Sequence, residues 1–178
     1  APMFERTWGM APSQYALING LLLLCLGPIS NNTAGWLADY LRKKGYKDGG
    51  LRVVILGAII LVPTAIIAPL MPNPTVCFVL LGINLIGIAL TSSSALIALL
   101  RIVPSNIRGV SVAFYLMCIS ITGLLLGPTA IGILNDYVFG VEGVRYSMAL
   151  VPFILGVPVL LMIPFMRKLY LKELEEIK

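Results

Sequence analysis

Five uninterrupted apolar runs constrain what this chain can fold into. They cover Tyr15–Ala38, Val53–Leu70, Val76–Leu100, Val110–Leu134 and Tyr146–Met166. Each holds about the 20 residues needed to cross a hydrocarbon core roughly 30 Å thick. Backbone groups in lipid must be satisfied within the protein, and the runs lack the polar alternation of barrel strands. The runs are therefore predicted to be transmembrane helices.

The placement of charge supports this fold class. Hydrophobic residues make up 58% of the chain and charged residues 12%, whereas soluble domains carry about 25% charge. The net charge of +5 could suit a nucleic acid, but the 13 basic and 8 acidic residues all lie outside the five runs. We therefore predict an all-α polytopic transmembrane bundle in a lipid bilayer, with no nucleic-acid partner.

The basic residues also predict an orientation. Three alternate segments contain most of them, whereas the other side of the membrane would carry only Arg6 and Arg145. The basic-rich side holds Arg42, Lys43, Lys44, Lys47, Arg52, Arg101, Arg108, Arg167, Lys168, Lys172 and Lys178. Basic loops remain in the cytoplasm. This asymmetry predicts an external N-terminus and a cytoplasmic C-terminus in a plasma membrane, the inner membrane of a bacterium.

Catalytic and metal-binding residue patterns are lacking in the sequence. The chain has no histidine, and its three cysteines, Cys25, Cys77 and Cys118, are far apart. No Asp or Glu falls within a predicted span, so no nucleophile and base or ligand set occurs there. The sequence predicts no metal, no cofactor and no enzymatic activity.

Three motifs carry a resemblance to a known family. Gly35, Leu37, Ala38 and Asp39, followed by Arg42, Lys43 and Lys44, match most of the pattern Gly-x-Leu-Ala-Asp-Arg-x-Gly-Arg-Arg, although Tyr40 replaces its first arginine. The second motif is Pro104-Ser-Asn-Ile-Arg108-Gly109, and the third runs from Gly123 through Gly127-Pro128 to Gly132. In order and spacing these motifs resemble the major facilitator superfamily of transporters. The stretch Pro104–Phe139 most resembles bacterial members of its spinster-like branch.

The resemblance implies a fold and a function. Residues 1–178 would form part of a C-terminal six-helix bundle, spans eight to twelve of a twelve-helix transporter, with Ala1–Arg6 as the last turn of a preceding helix. The partner would be the N-terminal half of the same transporter. The protein would be a secondary active transporter that moves a small organic or amphiphilic solute by alternating access. Whether protons or sodium ions are coupled to transport stays open.

Gate residues follow from the same resemblance. They are Gly35, Leu37, Asp39, Arg42, Lys43, Arg108 and Gly109. Asp39 is expected to end the first helix at the water boundary and to contact the opposite half. A solvated loop carboxylate remains the alternative for Asp39, and anchoring at the interface is the alternative for Arg108.

Helix irregularities are predicted at an identical dipeptide in the first and fourth spans, Gly27-Pro28 and Gly127-Pro128. Proline removes a backbone hydrogen bond and kinks a helix, so each site could be a static kink or a moving hinge. Gly123-x-x-x-Gly127 presents a small face for close helix contact. The second and fifth spans, nearly devoid of polar residues, are predicted to face lipid.

Polar residues at helical spacing are the candidates for a substrate pathway, because polar groups in lipid usually face the bundle interior. The candidates are Asn19, Asn84, Thr91, Ser94, Tyr115 and Thr122. Packing between helices is the alternative role for each of them. For the chain as a whole, the alternative function is a non-transport multi-pass membrane subunit or scaffold.

Overall fold

The computed structural model describes residues 2–140 and 143–176, and no strand occurs among them. A short helix α1 (Pro2–Trp8) precedes four long elements, α2 (Pro12–Lys43), α3 (Gly49–Ile67), α4 (Pro74–Ile102) and α7 (Val144–Glu176). The fourth span is segmented into α5 (Arg108–Ser120), a π-helical turn Ile121–Leu126, α6 (Gly127–Leu134) and a second π-helical turn Asn135–Phe139. In the described part of the chain, five helices are long and apolar enough to cross a membrane, with the segmented fourth span counted as one. The predicted all-helical, multi-pass architecture is confirmed.

Each helical span extends beyond its predicted apolar run, because helices continue past the hydrocarbon core. The first span corrects one expectation: α2 runs to Lys43, so Asp39 lies in its last turns and does not end the helix. Residues that favour helix N-termini are found where two of the helices begin. Pro12 and Pro74 open α2 and α4, and the Asn73 side chain caps α4 by accepting a hydrogen bond from the Thr75 backbone at 2.9 Å.

The second span, α3, lies at the centre of the bundle and packs on α2, α4 and α7. The expectation that it faces lipid therefore holds for only part of its surface, where Leu56 and Ile59 are exposed. Close approach to α4 explains this position, because Gly57 of α3 lies against Thr91 and Gly87 of α4 lies against Leu61. A helix that is apolar all round is suited to burial on several sides. The buried cluster Ala34, Ala38, Val53 and Leu90 joins α2, α3 and α4.

Polar contacts tie the helices together at both ends of the bundle. At one end, which we call the Trp8 end, the Trp8 indole donates to the Pro72 carbonyl at 2.9 Å and Arg145 donates to the Pro69 carbonyl at 2.7 Å. At the other, which we call the basic end, Asp48 pairs with Arg52 and Arg167. The segments predicted to share each side of a membrane therefore lie together.

The fourth span is the least packed part of the bundle. No residue of α5 is buried, and α6 contacts mainly its flanking π-helical turns and α7. A side-chain carbon added at Gly123 would meet no atom within 4 Å, and one at Gly127 would meet only Thr122 of its own span, at 3.9 Å. Within residues 2–140 and 143–176 the predicted small face thus packs on no other helix. It lines a cavity of about 600 Å³ beside α1.

Candidate functional site

A band of uncharged polar groups crosses three helices near the middle of the bundle. Ser93 of α4 donates a hydrogen bond to the Asn31 side-chain oxygen of α2 at 2.6 Å. Tyr115 of α5 donates to the Ser92 carbonyl of α4 at 3.3 Å. We call Asn31, Ser92, Ser93 and Tyr115 the polar band. At a rise of 1.5 Å per residue, these positions lie roughly 10–20 Å from the helix ends at the basic end.

The polar band is open on one side. Asn31 and Ser92 are exposed, whereas Ser93 and Tyr115 are half-buried. Helices α3 and α7 take no part in it, and α3 packs on α4 from another side. An exposed amide and hydroxyls at this depth are unfavourable against lipid tails. This face of the bundle is therefore suited to water, a solute or another protein surface.

A cavity of about 440 Å³ adjoins the polar band between α4 and α5. Its lining residues are Leu99, Val110, Ser111, Phe114, Tyr115 and Cys118. The walls are apolar, and the polar atoms are hydroxyls and a thiol without formal charge. Such a lining offers hydrogen bonds to an uncharged group and apolar contact to a hydrocarbon part.

The polar band adjoins the part of α2 that contains Pro28. The side chains of Asn31, Asn32 and Thr33 donate to the carbonyls four residues earlier, at 2.9, 2.9 and 2.7 Å. Those carbonyls belong to Gly27, Pro28 and Ile29. Three side chains thus supply extra hydrogen bonds next to the proline, where the helix lacks one of its own. Of the three, Asn31 alone also contacts α4, through Ser93, and none of them bonds to the Leu24 carbonyl, which Pro28 leaves without its usual donor.

Three predicted pathway residues of the third span lie on a different face. Asn84 donates to the Leu61 carbonyl at 3.1 Å and to the Thr64 hydroxyl at 3.0 Å, both on α3. Thr91 bonds back to the Gly87 carbonyl at 2.8 Å and contacts Gly57. Ser94 is fully buried. The structure thus places Asn84, Thr91 and Ser94 in the interface with α3, where they pack the two helices together.

The remaining pathway candidates are dispersed. Tyr115 belongs to the polar band. Thr122 donates to the Cys118 carbonyl where the first π-helical turn begins. Asn19 is half-buried on α2 near the Trp8 end. Of the six candidates, only Tyr115 makes a hydrogen bond within the polar band. The predicted pathway residues did not include Asn31, Ser92 or Ser93, although an amide and hydroxyls at similar depth in two spans were a usable signal.

The predicted gate residues lie at the basic end and are largely exposed. Asp39 pairs with Arg42 at 3.2 Å, with 61% of the Asp39 side chain exposed. Leu37 is half-buried, Lys43 is exposed, and a side-chain carbon at Gly35 or Gly109 would meet nothing within 4 Å. Arg108 donates to the Val103 carbonyl at 3.3 Å. Asp39 is therefore available to a surface outside the described residues.

Asp48 is an ionic residue that the sequence did not single out. Its carboxylate is buried and accepts hydrogen bonds from Arg52 and Arg167. Burial alone would raise the pKa of Asp48, but hydrogen bonds from Arg167 and Arg52, together with their charges, hold the pKa below its ordinary value. The sequence did contain one indication of this role, because Asp48 is the single acidic residue between Asp39 and Asp136.

Comparison of the chain with protein-family models, with characterised proteins and with solved structures found no match to any of them.

Proposed function

We propose that the chain is part of a secondary active transporter, resembling the major facilitator superfamily, that moves a small organic or amphiphilic solute by alternating access. The observation that carries the proposal is the polar band. It offers uncharged hydrogen-bonding groups at mid-depth on an open face formed by α2, α4 and α5. An open polar face inside a membrane needs a water-filled path or an opposing bundle. The opposing bundle would be the N-terminal half of the transporter.

The same proposal also says which side of the membrane the basic end faces. The basic end faces the cytoplasm of a bacterial cell, because basic segments resist translocation. Asp39 and Arg42 lie at that end, exposed and paired with each other at 3.2 Å. In the transporter they contact the opposing half and stabilise one closed state, with Arg108 and Gly109 at the adjacent loop.

A flux assay on the complete transporter in proteoliposomes tests the proposal. Candidate solutes are lysolipids, sugar acids and lipophilic drugs. Asn31→Ala and Tyr115→Phe remove polar band groups and are expected to reduce uptake at least tenfold, because each loses a hydrogen-bonding group at the solute face. The matched controls are Gln14→Ala and Tyr137→Phe, exposed residues far from the band, and they should transport normally.

A membrane subunit without transport activity is the competing function, and the poorly packed fourth span favours it. An exposed apolar helix with open glycine positions is suited to bind another membrane protein. If the protein is such a subunit, no solute is transported, and Asn31→Ala and Tyr115→Phe give the same flux as their control variants. Normal flux by Asn31→Ala and Tyr115→Phe would refute the role of the polar band.

A further inference from the structure

At the basic end, one buried carboxylate is shared by two arginines from distant parts of the chain. Asp48 precedes α3, and its side chain is only 4% exposed. One carboxylate oxygen accepts from Arg52 Nε at 2.8 Å, and the other accepts from Arg167 Nε of α7 at 2.7 Å. The two guanidinium groups are therefore held side by side at the junction of the second and fifth spans.

Both arginines use only one of their nitrogen atoms for this pair. A guanidinium group has five N–H donors, of which Nε supplies one. Among the described residues, neither Arg52 nor Arg167 makes another hydrogen bond. The terminal amino groups of both therefore remain available. Their side chains are 33% and 43% exposed, so a ligand can reach them.

The surroundings fix these groups in place and add positive charge. The Arg52 guanidinium stacks on the Tyr46 ring at 3.7 Å from its centroid. Arg101 of α4 donates to the Lys47 carbonyl at 3.1 Å, which brings a third guanidinium to the same loop. Asp48 neutralises only one of the three arginines. The first turn of α3 adds the positive end of a helix dipole.

We propose that Arg52, Arg101 and Arg167 form a binding site for a phosphate group, that of an anionic phospholipid headgroup or of free phosphate. Guanidinium groups match the oxygen atoms of a phosphate with paired hydrogen bonds, which an ammonium group cannot do. Basic pockets between transmembrane helices on the cytoplasmic side bind anionic lipid headgroups. Asp48 is then the residue that orients two of the arginines. The site is independent of whether the protein transports a solute.

Thermal unfolding of the purified full chain, together with native mass spectrometry, tests the site. The probes are phosphatidylglycerol, phosphatidylcholine and inorganic phosphate, each added to protein in an uncharged detergent. Phosphatidylglycerol is expected to raise the unfolding midpoint and to remain bound in the spectrometer. Protection by inorganic phosphate as well would identify free phosphate as a ligand. No protection by either phosphatidylglycerol or phosphate would overturn the proposal.

Variants separate a specific site from general attraction to a basic surface. Arg167→Gln should weaken binding of the protecting probe about tenfold or more, because it removes charged hydrogen bonds to the phosphate. Lys168→Gln removes an adjacent exposed charge and should leave the affinity within about twofold. Arg167→Lys keeps the charge and the pair with Asp48 but loses the planar fork, so its affinity should be intermediate. Equal losses in Arg167→Gln and Lys168→Gln would refute the site.

Discussion

The close contact between α3 and α4 predicts a large difference between two glycine-to-alanine substitutions. A side-chain carbon at Gly57 would lie 2.5 Å from the Thr91 hydroxyl oxygen, 2.8 Å from the Thr91 backbone nitrogen and 3.0 Å from the Gly87 carbonyl oxygen. Two of these atoms belong to the backbone and cannot rotate away. Gly57→Ala must therefore push the two helices apart. At Gly20, within α2, the added carbon would meet no atom within 4 Å.

A new methyl group changes the free energy of unfolding in two ways, through helix propensity and through steric contact. Alanine favours a helix over glycine by about 1 kcal/mol, and this gain applies to both variants. The steric term applies only to Gly57→Ala, and overpacking of a tight contact costs about 1–3 kcal/mol. Subtracting one variant from the other cancels the helix term. The stability difference between them should therefore be about 1–3 kcal/mol, with Gly57→Ala the less stable.

Thermal unfolding in one detergent, at one scan rate, measures this difference. For a protein of this size, the midpoint temperature of unfolding changes by about 2–4 °C for each kcal/mol of change in the free energy of unfolding. Adding Thr91→Ala to Gly57→Ala removes the hydroxyl clash but leaves both backbone clashes, so recovery should be partial. If Gly57→Ala unfolds at the same temperature as Gly20→Ala or above it, α3 and α4 do not approach as closely as described.

Three further outcomes test other parts of the bundle. Asn84→Ala should lower stability by about 1 kcal/mol in unfolding experiments, because it loses two hydrogen bonds to α3. Acid should destabilise the protein as the pH falls from about 4 through the lowered pKa of Asp48, and Asp48→Asn should flatten that part of a stability-against-pH curve. In membranes, a water-soluble thiol reagent should modify Cys118, beside the polar band, and spare the buried Cys77, as peptide mass spectrometry of the labelled protein would show.

The five spans could be predicted from the sequence because hydrophobic length is a local property. An apolar run needs no knowledge of its neighbours to be recognised as a helix that can cross a bilayer. The end of α2 was misplaced for a related reason. The boundary of the apolar run at Ala38 marks where lipid would end, whereas the helix continues to Lys43 because its hydrogen bonds do not depend on lipid.

The inward face of α4 could not be predicted, because it depends on residues of another helix. Asn84, Thr91 and Ser94 form a regular polar stripe, which suits a pathway and a packing surface equally well. Gly57 of α3 favours the packing role, because the lack of a side chain at Gly57 lets Thr91 of α4 approach the α3 backbone. The role of Asp48 was hidden for the same reason. One of its two partners, Arg167, lies 119 residues further along the chain.

Two asparagines show how the structure separates packing from solute contact. Asn84 directs its amide to a carbonyl and a hydroxyl of α3, inside an interface between helices. Asn31 accepts a hydrogen bond from Ser93 on an exposed edge. In hydrocarbon the exposed amide would be the more costly one, so a face that retains it must be shielded from lipid. Helices α3 and α7 pack elsewhere on the bundle and do not cover this face; in the proposed transporter the opposing bundle would shield it. Under the proposed transport function, the polar band is the candidate solute site and lies on the surface on which an opposing bundle would close.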